Sequence, residues 1–199
     1  LQMPARHNVA AQPSQLFSYP WITGIERITY HASFPFSRLR FSDREMPLVI
    51  DLEAFSPFIP HDIKSSSLPV AIFNFSIRST SAKPVHVELI GSFENMIGHD
   101  VARKRFTGRV ERGPAHTMLE AGADLVDPLH DTWGTQAFAL LDADATFYMG
   151  WDHRHPCWEH VIEKRELPNI DDVAGRNYGK DPDTGEALAR GAMRSLLAV

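Results

Sequence analysis

Cysteine is nearly missing. Cys157 is the only one among 199 residues, so no internal disulfide can staple the fold, and the redox character of the compartment stays open. Long apolar runs are missing too: no stretch approaches the roughly 20 residues that cross a bilayer as a helix, and no membrane span is expected. Positive charge is short. The formal net charge is -5, which removes the long-range attraction a nucleic-acid binder uses, and no nucleic acid is expected as a partner. A local cluster of Arg103, Lys104, Arg105, Arg109 and Arg112 runs against this balance and reads as a solvated face. There is no Gly-rich phosphate loop, and Ser65, Ser66 and Ser67 form no G-x-S-x-G elbow; no cofactor is expected. Helical periodicity is scarce, confined to "WEHVIEKREL" before Pro168.

Alternation with a period of two is abundant. At 43% hydrophobic and 23% charged, 199 residues suffice for one well-buried core. Ala71, Phe73, Phe75 and Ile77 alternate with Asn74, Ser76 and Arg78, the pattern of a strand with one buried face. Beyond the turn-prone "STSAKP", Val85, Val87, Leu89, Gly91 and Phe93 alternate with His86, Glu88, Ser92 and Glu94, which predicts a hairpin of the two runs. Leu48, Ile50 and Leu52 predict an upstream strand, and Phe34, Phe36, Leu39 and Phe41 another, bulged near Pro35. "TQAFALLDADATFYMGW" predicts two strands turning at residues 142–144. The tail "GEALARGAMRSLLAV" fits either period, since Leu188, Met193, Leu196 and Leu197 would also share a helix face.

These patterns predict an all-β fold, an antiparallel β-sandwich of two packed sheets. Residues 1–18 read as a lead segment and 19–199 as a single sandwich domain with a long loop or insertion at about 151–185. The chain begins with Leu1 and stops inside an apolar run, so the sandwich is expected to be incomplete at both ends.

Chemistry-bearing residues are few. "WDHRHPCWEH" brings His153, His155, Cys157 and His160 within eight residues, all of them able to bind zinc, but Pro156 interrupts the run and no second ligand pair stands at zinc-finger spacing. Loop or interface histidines are the plainer reading, a zinc-bearing interaction module the lesser one. Asp142 and Asp144, if on one strand, would lie about 6–7 Å apart, close to the carboxylate separation a glycosidase uses. They fall where the chain must turn, however, and Asp favours turns for its own reasons.

The longest informative words are "WITGIERI", "FPFSRLRFSD" and "EAFSPFIPHDIKSSSLPVAIF". In this order and spacing, over about residues 19–95 and more weakly in "DTWGTQAFALLDADATFYMG", the chain resembles the N-terminal domain of glycoside hydrolase family 116, the non-lysosomal glucosylceramidase or bile acid β-glucosidase family. The resemblance implies a β-sandwich packed on a C-terminal α/α barrel that carries a glutamate nucleophile and an aspartate acid/base acting on a β-glucoside with retention. None of the family's catalytic motifs finds a position here, so no catalytic residue is carried over. It implies an accessory domain whose partner is that barrel. The competing class is a stand-alone carbohydrate-binding sandwich, for which Trp21, Trp133, Trp151 and Trp158 would need to form one exposed row, although no alternation aligns them.

The resemblance singles out the stretch between the strands near residues 50 and 75. Pro57, Pro60 and Pro69 fix φ and lower the entropy lost on ordering, so this loop can be a shaped feature. Phe55, Phe58 and Ile59 give it apolar anchors that a slack linker would lack. Docking on the barrel is one reading, with Phe58, His61, Asp62, Lys64 and Trp133 as interdomain or pocket-rim residues; folding onto its own sandwich is the other.

Because retention needs a nucleophile and an acid/base that this chain lacks, residues 1–199 are expected to leave an aryl β-glucoside unhydrolysed above a blank. Turnover that disappears in Asp142→Asn or Asp144→Asn would overturn this.

Overall fold

The computed structural model describes residues 2–4, 24–151, 157–190 and 193–199. The fold is all-β and sandwich-like, built of several largely antiparallel sheets with few helices. The chain forms two compact units, residues 1–86 and 87–199.

The first unit holds a five-stranded antiparallel sheet, made in sequence order by β1 (Gln2–Pro4), β2 (Arg27–Ser33), β3 (Phe36–Ser42), β4 (Leu48–Phe55) and β5 (Ile72–Ser79). Ser33 pairs with Phe36. The expected strand bulged near Pro35 is therefore two strands, with Phe34 and Pro35 as the hairpin turn, the place where a residue without an amide hydrogen costs the ladder nothing. Register stacks Ile28, Phe41, Ile50 and Ile77 in one row and Tyr30, Leu39, Leu52 and Phe75 in the next, so one face is apolar. Charge occupies the other: Arg38 meets Glu53 and Arg40 meets Asp51 across neighbouring strands, each at 2.7 Å. The alternation along β5 predicts a buried face, yet Phe73 is 58% exposed and Phe75 and Ile77 are exposed as well. A period of two identifies residues that share a face; it does not supply the cover.

The second unit is a layered body. One sheet has the order β11-β10-β14-β6, from β6 (Ile90–Glu94), β10 (Thr146–Trp151), β11 (Ile170–Asp171) and β14 (Arg194–Ala198). A three-stranded sheet of β7 (Arg105–Gly113), β8 (His116–Asp124) and β9 (Thr135–Leu141) forms the second layer. Leu119 and Ala121 from β8, Phe147 and Met149 from β10, and Met193 and Leu197 share one core between them. The far side of the first sheet is buried too, where Tyr148, Trp151 and Leu196 pack with Leu167 and with Val161 of α2 (Cys157–Lys164). Each such side chain contributes about 1.5–3 kcal/mol relative to exposure. A short β12–β13 pair (Gly179–Lys180 with Ala187–Leu188) completes the unit.

Burial on both faces decides the ambiguous tail. Leu196 faces one core and Leu197 the other, so residues 194–198 form a strand whose apolar run is continuous, and period cannot reveal it. Two pairings differ from expectation. The predicted hairpin of residues 72–79 with 85–93 does not form, because β5 pairs with β4 whereas β6 pairs with β14. Residues 142–145 do turn the chain, but they pass it from one sheet to the other instead of closing a β9–β10 hairpin. The β10–β11 pair is parallel, an exception to the antiparallel rule.

The β12–β13 turn is fixed by Asp181, buried, which accepts from Arg103 Nε at 2.9 Å and from the amides of Asp183 at 2.9 Å and Thr184 at 3.0 Å. The Arg103 guanidinium first, then those amides, hold its carboxyl at about 2, below the ordinary 3.8. A depressed folded-state value adds stability at pH above the unfolded value, and this is lost as pH falls towards 2. Asp181→Asn should therefore lower the urea midpoint at pH 6, with the gap to the parent narrowing between pH 4 and pH 2.5. A gap independent of pH would show that the charge is not what matters.

Candidate functional site

In the first unit the proline loop is built, not slack. Asp62 caps the four-residue helix α1 (Ile63–Ser66), its carboxylate accepting from Ser65 N at 3.0 Å and Ser65 Oγ at 2.7 Å. These two bonds, the amide first, hold the Asp62 carboxyl below its usual range. Ser66 Oγ accepts from Ile59 N at 2.9 Å and donates to Ile59 O at 3.0 Å, so the segment before the helix is tied to its last turn. His61 enters the helix with φ of 67°, an uncommon conformation for a residue with a Cβ. The hydrophobic members divide. Phe55 packs on Phe36 with ring centres 5.1 Å apart and is half-buried, whereas Phe58 and Ile59 stand 50% and 51% exposed. Phe34, from the β2–β3 turn, meets Phe58 edge-on at 4.9 Å, and with exposed Ile63 extends the apolar surface.

The predicted rim residues therefore have different positions. Asp62 is committed to its own helix. His61 and Lys64 are exposed. Trp133 lies in the second unit, exposed, its amide donating to His130 O at 2.9 Å. Trp151 is buried in a core; Trp21 lies outside the described residues, as does the side chain of Trp158.

Of the possible zinc ligands, His153 and His155 lie outside the described residues, and so does the side chain of Cys157. His160 is on α2, with Nε2 buried and without a hydrogen-bond partner among the described residues. Asp142 and Asp144 do not share a strand. Asp142 sits at φ of 57° in the crossing between sheets, and Asp144 borders a cleft described below. The basic cluster is solvent-facing as expected at Arg103, Arg109 and Arg112, and Lys104 alone departs from it. Arg103, Arg105 and Arg109 are matched to Asp181, Asp124 and Glu120 at 2.9, 3.1 and 2.9 Å. Lys104 is buried, donating to the carbonyls of Val101 at 3.0 Å and His99 at 3.2 Å, and burial pushes its ammonium below the usual lysine value. Of the five, Arg105 and Arg109 pair across the β7–β8 hairpin, while Arg103 reaches the β12–β13 turn.

The sequence reading missed a cleft of about 530 Å³ within the second unit, where the β7–β8 hairpin, the start of β10 and the C-terminal end of α2 meet. Arg112 spans it, stacked on Phe147 at 5.1 Å and donating to Ala145 O at 3.0 Å and Asn169 Oδ1 at 2.8 Å. Its lining comes from short segments scattered between Glu88 and Val199, an arrangement no local pattern reports.

An all-β, sandwich-like domain, in which Asp142 and Asp144 do not share a strand, is the class these features define. Over residues 2–180 the chain matches the family described as beta-glucosidase 2, glycosyl-hydrolase family 116 N-term, and it belongs to that family. The match runs through the His- and Cys-bearing stretch as well as the motifs that first pointed there. No curated protein matches the chain significantly. Membership makes it a glycoside hydrolase accessory domain and implies a catalytic domain as partner. Among the described residues no helix is long and apolar enough to cross a membrane.

The cap offers a local test. Asp62→Ala should loosen the loop, read as faster hydrogen exchange at the amides of Ser65 and Ser66 with little change in β4 and β5. Unchanged exchange at Ser65 would mean that the prolines order the loop without the cap.

Proposed function

We propose that this chain is the N-terminal accessory domain of a retaining β-glucosidase of glucosylceramidase type, and that its proline loop docks on the catalytic α/α barrel. The single observation that carries the docking is the pairing of order with exposure. A loop held by Asp62, Ser65 and Ser66 nonetheless presents Phe58, Ile59 and Ile63 to solvent. Ordering a segment costs free energy, and leaving apolar surface on it in water adds to that cost, so such a combination marks a surface meant to be covered. Family membership supports the identity of the cover. The resemblance supplies the reaction: a glutamate nucleophile and an aspartate acid/base on the barrel, with this domain providing contact surface.

The loop's role is structural support. Asp62 is spent on its helix cap, and the apolar set is larger than the polar one. In the complete enzyme, Phe58→Ala should lower the thermal midpoint by several degrees while leaving KM for an aryl β-glucoside unchanged. His61→Ala and Lys64→Ala should alter neither. A raised KM in His61→Ala would place the loop at the sugar pocket, and a Phe58→Ala enzyme with unchanged thermal midpoint would refute the docking.

A further inference from the structure

The cleft of the second unit carries an inference that does not rest on the docking reading. Its rim holds charges of both signs. Arg165, Asp144 and Glu166 line it, and none of the three has an ion-pair partner among the described residues, although Arg105, Arg109 and Arg194 nearby in the same unit are each matched to a carboxylate. Beneath them lies an aliphatic floor that includes Ile90 and Val161.

One backbone feature, at Arg165, favours a side chain over the fold, and the side chains of Asn169 and Thr146 add donors. Arg165 follows the last residue of α2 in the left-handed region, at φ of 60°, where its amide donates to Val161 O at 2.9 Å. Glycine is the usual occupant of that position, where an L side chain crowds its own backbone. A guanidinium is thus kept at the cleft against a local preference. Asn169, at φ of 55°, gives its Oδ1 to Arg112 and to Phe147 N, which leaves its amide group as a donor. Thr146 Oγ1 accepts from Leu167 N at 2.9 Å, so its own proton is left to donate.

From this donor and acceptor set we infer that the cleft is a non-catalytic binding site for a neutral polyhydroxylated ring, of the sugar or cyclitol class. Hydroxyl groups donate to the Asp144 and Glu166 carboxylates and accept from Arg165, Asn169 and Thr146, while the ring's C–H face rests on the aliphatic floor. An anion meets the carboxylates of Glu88, Asp144 and Glu166, and a cation meets Arg112 and Arg165. The volume lies within the usual range for small-ligand pockets.

The test uses the 199-residue chain with amide chemical shifts as readout. Methyl β-D-glucopyranoside and myo-inositol should each shift Thr146, Arg165 and Asn169 saturably, with Kd on the order of millimolar. Arg165→Gly is the decisive variant: it removes the guanidinium and relieves the backbone, so the thermal midpoint should hold or rise while affinity falls about tenfold, and Asp144→Asn should weaken binding without unfolding. Tighter binding of gluconate, of Tris or of glycine would overturn the neutral ligand class in favour of an anion, a cation or a zwitterion. Shifts that fail to saturate, or that survive in Arg165→Gly, would overturn the site.

Discussion

The apolar clasp between the two sheets of the second unit is the constraint on which the rest of that unit depends. Leu119 and Met149 have no exposed surface, and the fit is close: a Cβ at Gly108 would collide with Met149 Cε, and one at Gly91 would collide with the Phe138 ring. Truncation of a residue such as Leu119 costs about 2–5 kcal/mol, because the surrounding strands cannot collapse into the space. With that clasp in place, β10 presents Tyr148 and Trp151 on its far side, α2 finds an apolar surface to lie on, and its C-terminal end reaches the start of β10. The cleft exists where these positions are set.

The first unit is held differently. Leu48 is its only buried hydrophobic among the described residues. Ladder hydrogen bonds and cross-strand pairs such as Arg40 with Asp51 order the sheet, but exposed ion pairs are worth at most about 1 kcal/mol each. A sheet with a polar face so well matched and an apolar face so accessible is structurally specified before it is energetically complete. That asymmetry agrees with a partner role in a multidomain hydrolase.

Legibility in the sequence followed the same division. Where one face is polar, as in β4 and β5, alternation marked the strands and their faces. It does not mark partners, and β5 pairs with β4 instead of with the alternating run that follows it. The aromatics Phe34 and Phe36 flanking Pro35 give it the look of a strand residue, whereas the missing amide hydrogen belongs in the turn it occupies. In the β7–β8 hairpin Thr117, Leu119, Ala121 and Ala123 alternate cleanly and Gly113-Pro114 marks the turn, but the arginines of β7 read locally as charge, and the carboxylate partners of Arg105 and Arg109 lie on the next strand. The family's motif words carried the identity. The ordering of the proline loop was anticipated from its prolines, but the Asp62 cap was not, even though Asp62 and Ser65 stand at capping separation. The cleft was out of reach, since strands far apart in the chain build it.

The position of β14 between β10 and β6 has a kinetic consequence. Its partner Glu94 is 100 residues from Arg194, and the two residues share an ion pair as well as a register. Because this central strand is the last described segment to leave a ribosome, β6 and β10 wait with open edges until it arrives, and the sheet cannot form by sequential addition. Closing so long a loop is slow relative to local pairing, so the first unit, whose strands join in sequence order, can assemble while the second is still being made. The nascent chain would then carry an ordered, apolar-faced sheet ahead of an unfinished one, a state in which chaperones have most to protect.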